Sequence, residues 1–239
     1  MLSVPFENLD IGLGSKIVCD SDAFIHKIVD RRRGGFCYEL NGAFAVLLGE
    51  LGFKVTLLSA RVGRDDGTQG PEFDHLALRV DLDEPWLADV GFGDSFVEPL
   101  RMQTQIEQPQ NPDTYRITDT NGYLCLERSG PDGGWKREYF FTLTPRELKD
   151  FSAMCHHHQT SPESPFTHKR ICSRATKDGR VTLADRRLIV AKNQRRKETL
   201  LESETEWRAA LKKHFSIVLE DASCNRQTKK RAAVRHRRS

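Results

Sequence analysis

Three residues in the first ninety have the types needed to pass an acyl group from one molecule to another. Cys37 lies in RRRGGFCYELNGAF (Arg31 to Phe44), directly after the Gly34-Gly35 pair and at the start of an apolar, helix-like run. The first turn of a helix offers unpaired N–H groups and the positive end of the dipole, both of which favour a thiolate. A Cys37 that starts a helix and faces His75 is therefore expected to have its thiol depressed below the usual value near 8.5. A lone cysteine there is weak evidence, because buried cysteines also serve as small core side chains. His75 sits in FDHLALRV, an alternating stretch in which Leu76, Leu78 and Val80 face one way and His75, Ala77 and Arg79 the other. Asp89, in WLADVGFG, is an acid inside an apolar strand, followed by glycines that let other groups approach. Such a carboxylate needs a partner, since burying its charge alone is costly.

Thiol acyl transfer uses these three types together. Cysteine attacks, histidine takes its proton and later returns one, and the carboxylate fixes the imidazole's tautomer and charge. A histidine merely satisfied by hydrogen bonds remains the alternative reading of His75. The connector VDLDEP predicts that the His75 and Asp89 strands are antiparallel neighbours. An even sum of paired residue numbers across that turn, or a bulge, puts both side chains on one face. Cys37 must then arrive from the helical region, which places the site at a junction between parts of the chain, where clefts are common.

Residues 1–52 are helix-like, with Ala23, Ile25, Ile28 and Val29 expected on one face. From Cys37 onward, Leu40, Phe44, Leu47, Leu48 and Leu51 fall at helical spacing, with Gly52 as the stop. Residues 53–155 read as strands: KVTLLSARV, DHLALRVDL, PWLADV, then TYRIT and YLCLER around Asn121-Gly122, a two-residue hairpin signal, then WKREYFF. Thr144-Pro145-Arg146-Glu147 resembles a capping box and predicts a helix opening at Pro145. Residues 156–222 read as two strands, RICSRAT and RLIVAK, bracketing a turn at Asp178-Gly179. A helix capped by Ser203 follows, with Trp207, Leu211 and Phe215 on one face. Helices and antiparallel strands so arranged make an α+β protein.

The 239 residues carry a net charge of +3, but the basic character belongs to the last seventeen, which hold seven Lys/Arg and no acid; the remainder has 30 Lys/Arg against 34 Asp/Glu. Residues 223–239 are expected to be a disordered, solvated extension, nucleic-acid attachment being the sharper alternative. Six cysteines show no CxxC and no paired framework, which suits reduced thiols in the cytoplasm. No signal-peptide pattern or long apolar span is read, so no membrane association is expected.

The motifs VPFENLDI, RRRGGFCYELNGAF, FDHLALRVDL, WLADVGFGDSF, TSPESPFTHKRICSRAT and GRVTLADRRL occur in order from Val4 to about Leu219. Together they resemble an arylamine N-acetyltransferase of the bacterial type. The resemblance implies an N-terminal helical bundle, a central antiparallel β-barrel and a C-terminal α/β lid, with a Cys-His-Asp core of the transglutaminase/papain-like kind. It implies Cys37, His75 and Asp89 as the triad, acetyl-CoA as cosubstrate with no permanently bound cofactor, and arylamines, arylhydrazines or hydrazides as acceptors. Thr176 matches a coenzyme-A-contacting position. Phe166 and Arg174 are further candidates for that cosubstrate, and Lys169, Arg170 and Lys177 could meet its phosphates. Phe36, Phe92 and Phe73 are candidates for an apolar acceptor pocket. Family members usually carry helical sequence before VPFENL, whereas this chain begins three residues before it; some of Leu40, Phe44, Leu47 or Leu51 are therefore expected to face water.

Arg33 and Glu7 are expected to form a buried ion pair tying the first segment to the Cys37 turn. CHHHQ (Cys155 to Gln159) invites a metal reading, but adjacent histidines on a helix diverge and no second ligand pair stands at zinc spacing. No metal is expected. A transglutaminase-like cysteine acyltransferase or hydrolase using the same three residues is the competing enzyme.

Overall fold

The computed structural model describes residues 1–130, 133–193 and 195–219, so the basic extension and Cys224 lie outside the described residues. The chain starts with strand β1 (Phe6–Glu7) and a short helix α1 (Leu9–Gly12). Helix α2 (Ser21–Ile25) runs into a π-helical turn at His26–Asp30, and α3 (Cys37–Glu50) follows. Strands β2 (Lys54–Val62), β3 (His75–Asp81), β4 (Pro85–Ala88), β5 (Leu100–Arg101), β6 (Gln108–Gln110), β7 (Asp113–Thr120), β8 (Tyr123–Ser129) and β9 (Trp135–Phe141) come next. They form one antiparallel, barrel-like sheet in the order β5-β4-β3-β2-β9-β8-β7-β6. A 3-10 turn (Leu148–Phe151), α4 (Ser152–Thr160) and α5 (Pro165–His168) lead to β10 (Ile171–Thr176), β11 (Gly179–Ala184), β12 (Arg187–Lys192) and β13 (Arg195–Leu200). Helix α6 (Glu204–Phe215) covers the second sheet, whose order is β1-β10-β11-β12-β13.

The two faces of β3 feed two different cores, as its alternation predicts. Leu76, Leu78 and Val80 pack with Phe36, Tyr38 and Leu40 of the α3 region, while Ala77 packs inside the barrel with Leu58, Leu87, Phe141 and Tyr139. Each large side chain so buried contributes about 1.5–3 kcal/mol. The hairpin at Asn121-Gly122 has both residues at positive φ, 53° and 84°, as a type I′ turn requires. Ser203 caps α6 by accepting the Glu206 N–H at 3.2 Å, and Trp207, Leu211 and Phe215 are buried.

Several local expectations are corrected. The inward face of the α2 segment is Phe24 and Lys27, whereas Ala23 and Val29 are exposed, because Lys27 is drawn into an ion-pair cluster. The helix after β9 opens at Leu148, not at Pro145: the Arg146 N–H is held by the Leu57 carbonyl at 3.0 Å, and the cap is Glu147, whose N–H meets Asp150 Oδ2 at 2.8 Å. The C-terminal sheet has four consecutive strands rather than two, and β1, from the region read as helical, joins it through Phe6↔Ser173 and Glu7↔Cys172. On α3, as expected for some of its large side chains, Leu47 is 53% and Leu51 64% exposed, while Leu40 is buried.

Candidate active site

His75 opens β3, and Asp89 follows directly after the end of β4. The β3–β4 register pairs Leu78 with Ala88 and Asp81 with Pro85, so one step further Asp89 stands opposite Ala77 and diagonal to His75 on the same face. The side chains meet there: His75 Nε2 lies 2.7 Å from Asp89 Oδ2, and both residues are buried. With Nε2 committed to the carboxylate, Nδ1 is the ring nitrogen left to accept a proton. The imidazole is walled by Phe92 and Tyr139, each ring 5.1 Å from it.

Asp89 is fixed from the helix side as well. Asn41, one turn along α3 from Cys37, donates its amide to Asp89 Oδ1 at 2.8 Å and to the Leu76 carbonyl at 2.6 Å, and accepts the Val90 N–H at 2.9 Å. The Gly91 N–H adds a second bond to Oδ1 at 2.9 Å. Burial raises the Asp89 carboxyl, but the charge of His75 and these hydrogen bonds more than offset it, leaving the group below the usual carboxylate range. Asn41 was not singled out from the sequence, although its i,i+4 spacing from Cys37 places the two on one face of α3.

Cys37 is the first residue of α3 and is 4% exposed. The backbone N–H groups of Leu76 and Tyr38 reach its sulfur. Gly91 lies so close that an added Cβ would stand 2.8 Å from Cys37 Cα and 2.7 Å from Asn41 Nδ2. The helix start, the His75–Leu76 edge and the turn after Asp89 thus converge on one point. Burial pushes the Cys37 thiol well above its usual value; the two N–H groups pull it down, and the Asp74 and Asp89 charges add to the rise. This corrects the expectation of a depressed thiol: burial outweighs the backbone N–H groups that favour the thiolate. A proton moved from Cys37 to His75 leaves the pair's net charge unchanged, so burial does not oppose that transfer in the same way, and Asp89 stabilises the imidazolium it creates. The arrangement brings together the residue types that nucleophilic catalysis by internal proton transfer uses.

The turn before Cys37 rests on five buried charges. Arg33 donates through Nε to Glu7 Oε1 at 2.9 Å and through a terminal nitrogen to Asp10 Oδ1 at 3.0 Å. Lys27 Nζ meets Glu39 at 2.7 Å and Asp10 at 2.9 Å. The Arg33–Glu7 pair read from the sequence is present, within a larger cluster whose other members were missed. Glu39 Oε2 also accepts the Phe36 N–H at 3.1 Å, tying the cluster to the start of α3. Three carboxylates face two cations here, and burial lifts Glu39 to about 7.

The remaining candidates are scattered around this centre. Phe92 is half-buried beside His75. Phe36 is fully buried between Tyr38 and Phe166, with ring centroids at 5.0 and 6.0 Å. Phe73, at φ 65°, packs edge-on against Phe151 at 5.2 Å beneath the Arg146 guanidinium. Phe166, on α5, packs against Phe6, Phe36 and His158. Thr176 ends β10, half-buried and paired with Gly179, while Arg174 donates to the His214 carbonyl at 2.6 Å near the end of α6. Arg170 is engaged with the Trp207 ring at 4.1 Å and Glu204 at 3.2 Å; Lys169 and Lys177 are exposed. His158 has its ring nitrogens 3.0 Å from Asp74 Oδ1 and 3.2 Å from Ser164 Oγ. Among the described residues no group of three or more His, Cys, Asp or Glu is placed to hold a metal ion. Nor is any helix among them long and apolar enough to cross a membrane.

The N-acetyltransferase family model matches residues 1–224. A Gallus gallus arylamine N-acetyltransferase, the pineal gland isozyme NAT-3, is 36% identical over 243 residues, covering 91% of this chain and 84% of its own. The structure of the Mycobacterium marinum arylamine N-acetyltransferase in complex with CoA superposes with a TM-score of 0.82 at 31% identity, over 90% of this chain and 81% of that one. A Bacillus cereus arylamine N-acetyltransferase, described as having a Cys-His-Glu catalytic triad, superposes with a TM-score of 0.84 at 26% identity, over 91% and 87%.

Proposed function

We propose, because this chain belongs to the arylamine N-acetyltransferase family, that it carries an acetyl group from acetyl-CoA through a Cys37 thioester to the nitrogen of an arylamine, arylhydrazine or hydrazide. The observation that carries this reading is the buried His75–Asp89 pair at 2.7 Å, set against the first turn of the helix that begins with Cys37. In the first half-reaction, Cys37 Sγ attacks the thioester carbonyl of acetyl-CoA as its proton passes to His75. The tetrahedral species collapses, coenzyme A leaves as its thiol with the proton from His75, and Cys37 is acetylated. In the second, the acceptor nitrogen attacks the Cys37 thioester, His75 takes the nitrogen's proton and returns one to the departing Cys37 sulfur. The carboxylate of Asp89 stays ionised and holds the imidazole throughout. Asn41 acts through Asp89 and is a positioning residue.

Phe92 is the acceptor-pocket wall best supported by position, since it touches His75, and Phe73 is a more remote candidate. Thr176 is assigned to coenzyme A on the family's motif, with Phe166 and Arg174 as further candidates; a Mycobacterium marinum relative has been solved in complex with CoA. A division at 1–52, 53–155 and 156–222 remains the working domain assignment, and the cytoplasm, which keeps thiols reduced, the working location. The test is a panel of arylamines and hydrazides with acetyl-CoA. Acetylated product with parallel double-reciprocal lines is expected; absence of product across the panel, or intersecting lines, would contradict the double displacement.

A further inference from the structure

The five described cysteines are free, and two of them, to which the proposed reaction gives no role, belong to segments packed on one core cluster. Cys19 is in the segment that enters α2, where the Asp20 N–H bonds the Val18 carbonyl at 2.8 Å and bends the chain around it. Cys155 is on α4 and is 1% exposed. Gln159, one turn along α4, fastens the two segments. Its side-chain oxygen accepts the Ile17 N–H at 2.7 Å, and its amide nitrogen donates to the Ile17 carbonyl at 3.0 Å. That nitrogen also reaches the Cys155 carbonyl at 2.9 Å and the Cys155 sulfur at 3.3 Å. Cys19, half-buried and two residues beyond Ile17, packs against the core cluster that contains Cys155, and the two thiols are close enough to shift each other's ionisation.

We propose that Cys19 and Cys155 form a reversible internal disulfide, closed by exchange with a low-molecular-weight disulfide. Cys19, the more accessible partner, attacks as thiolate; one sulfur of the oxidant becomes bonded to Cys19 and the other leaves as a thiol after taking a proton. Cys155 then loses its proton and attacks the Cys19 sulfur, expelling the second small thiol. Two protein thiols are oxidised to one disulfide, and one small disulfide is reduced to two thiols. The order fits the environment: the interaction with Cys155 outweighs burial and holds Cys19 below its usual value, whereas that same interaction and burial push Cys155 up. The closed ring spans residues 19 to 155 and contains Cys37, His75 and Asp89. Because Gln159 already holds the two segments in register, closure restrains chiefly the unfolded chain.

The full chain is incubated with oxidised glutathione and mapped under non-reducing conditions. The expected result is a linked peptide pair containing Cys19 and Cys155, with the loss of two hydrogens, reversal by dithiothreitol, and an unfolding midpoint raised by about 5–15 °C. Cys19→Ser and Cys155→Ser should show neither the link nor the rise. Glutathione adducts on Cys19 or Cys155 without the internal link, or both residues left alkylatable, would overturn the proposal. The wild-type map alone decides should either variant fail to fold.

Discussion

Asp89 divides its two oxygens between different tasks, and that division makes its role testable. Oδ1 accepts from Asn41 and Gly91, and Oδ2 faces His75 Nε2. In Asp89→Asn the remaining carbonyl oxygen must stay on the two donors, so the new NH2 turns toward His75 Nε2. The imidazole must then carry its proton on Nδ1, the nitrogen that is required to receive one. Turnover should fall by about 10⁴ with the fold retained; near-normal turnover in a natively folded variant would exclude the positioning role. A second prediction concerns the charge on sulfur. Burial holds Cys37 protonated unless His75 takes its proton. Iodoacetamide should therefore alkylate wild-type Cys37 at neutral pH, while His75→Gln should need strongly alkaline pH for the same rate. Equal rates at pH 7 would show a thiolate sustained by the helix start alone.

At the scale of elements, the contact between α3 and the turn after β4 sets the geometry. A Cβ at Gly91 would meet Cys37 backbone atoms at 2.8 and 2.9 Å, and a helix backbone has little room to yield. Gly91→Ala should lower stability by about 1–3 kcal/mol and reduce turnover more than it changes KM for acetyl-CoA; unaltered melting and turnover would mean that the helix start is free to shift. The charged cluster under the same helix predicts a pH dependence. The Glu39 carboxyl lies at about 7 in the folded chain and near 4.3 unfolded. Its contribution is fully present below the unfolded value and is lost as pH rises through about 7. Wild type should therefore lose on the order of 3 kcal/mol across that window relative to Glu39→Gln, as read by urea unfolding at pH 4.5 and 8. Parallel stability curves would refute it. The elements at the candidate site were largely legible: alternation set the faces of β3, and the glycine pair announced the start of α3. The charged edge strand β13 carries no apolar alternation, and β1 exists only by pairing with β10, so neither shows in a local reading. The shifted helix start at Leu148 depends on Arg146 bonding Leu57, a contact between residues far apart in sequence.

Across the whole molecule, the first residues close onto the last sheet. β1 lies beside β10, and the side chain of Asn8 bonds the Phe166 and Lys169 carbonyls and the Ile171 N–H. Through Glu7 and Arg33 the same segment supports the turn that leads to Cys37. Residues from three regions of the chain thus hold one candidate nucleophile, which is why the site could be listed from the sequence but its supports could not. Cys37, His75 and Asp89 were readable as types at suggestive positions; the lift of the Cys37 thiol by burial was not, because no local pattern records how completely other elements cover it. The central claim, that Cys37 itself carries the acetyl group, is tested most directly by mass spectrometry after incubation with acetyl-CoA and no acceptor. One acetyl group mapped to Cys37 in the wild type, discharged by an arylamine and absent from Cys37→Ala, is the predicted result. An unmodified wild-type chain that still acetylates the amine, or an acetyl group retained by Cys37→Ala with activity intact, would contradict it.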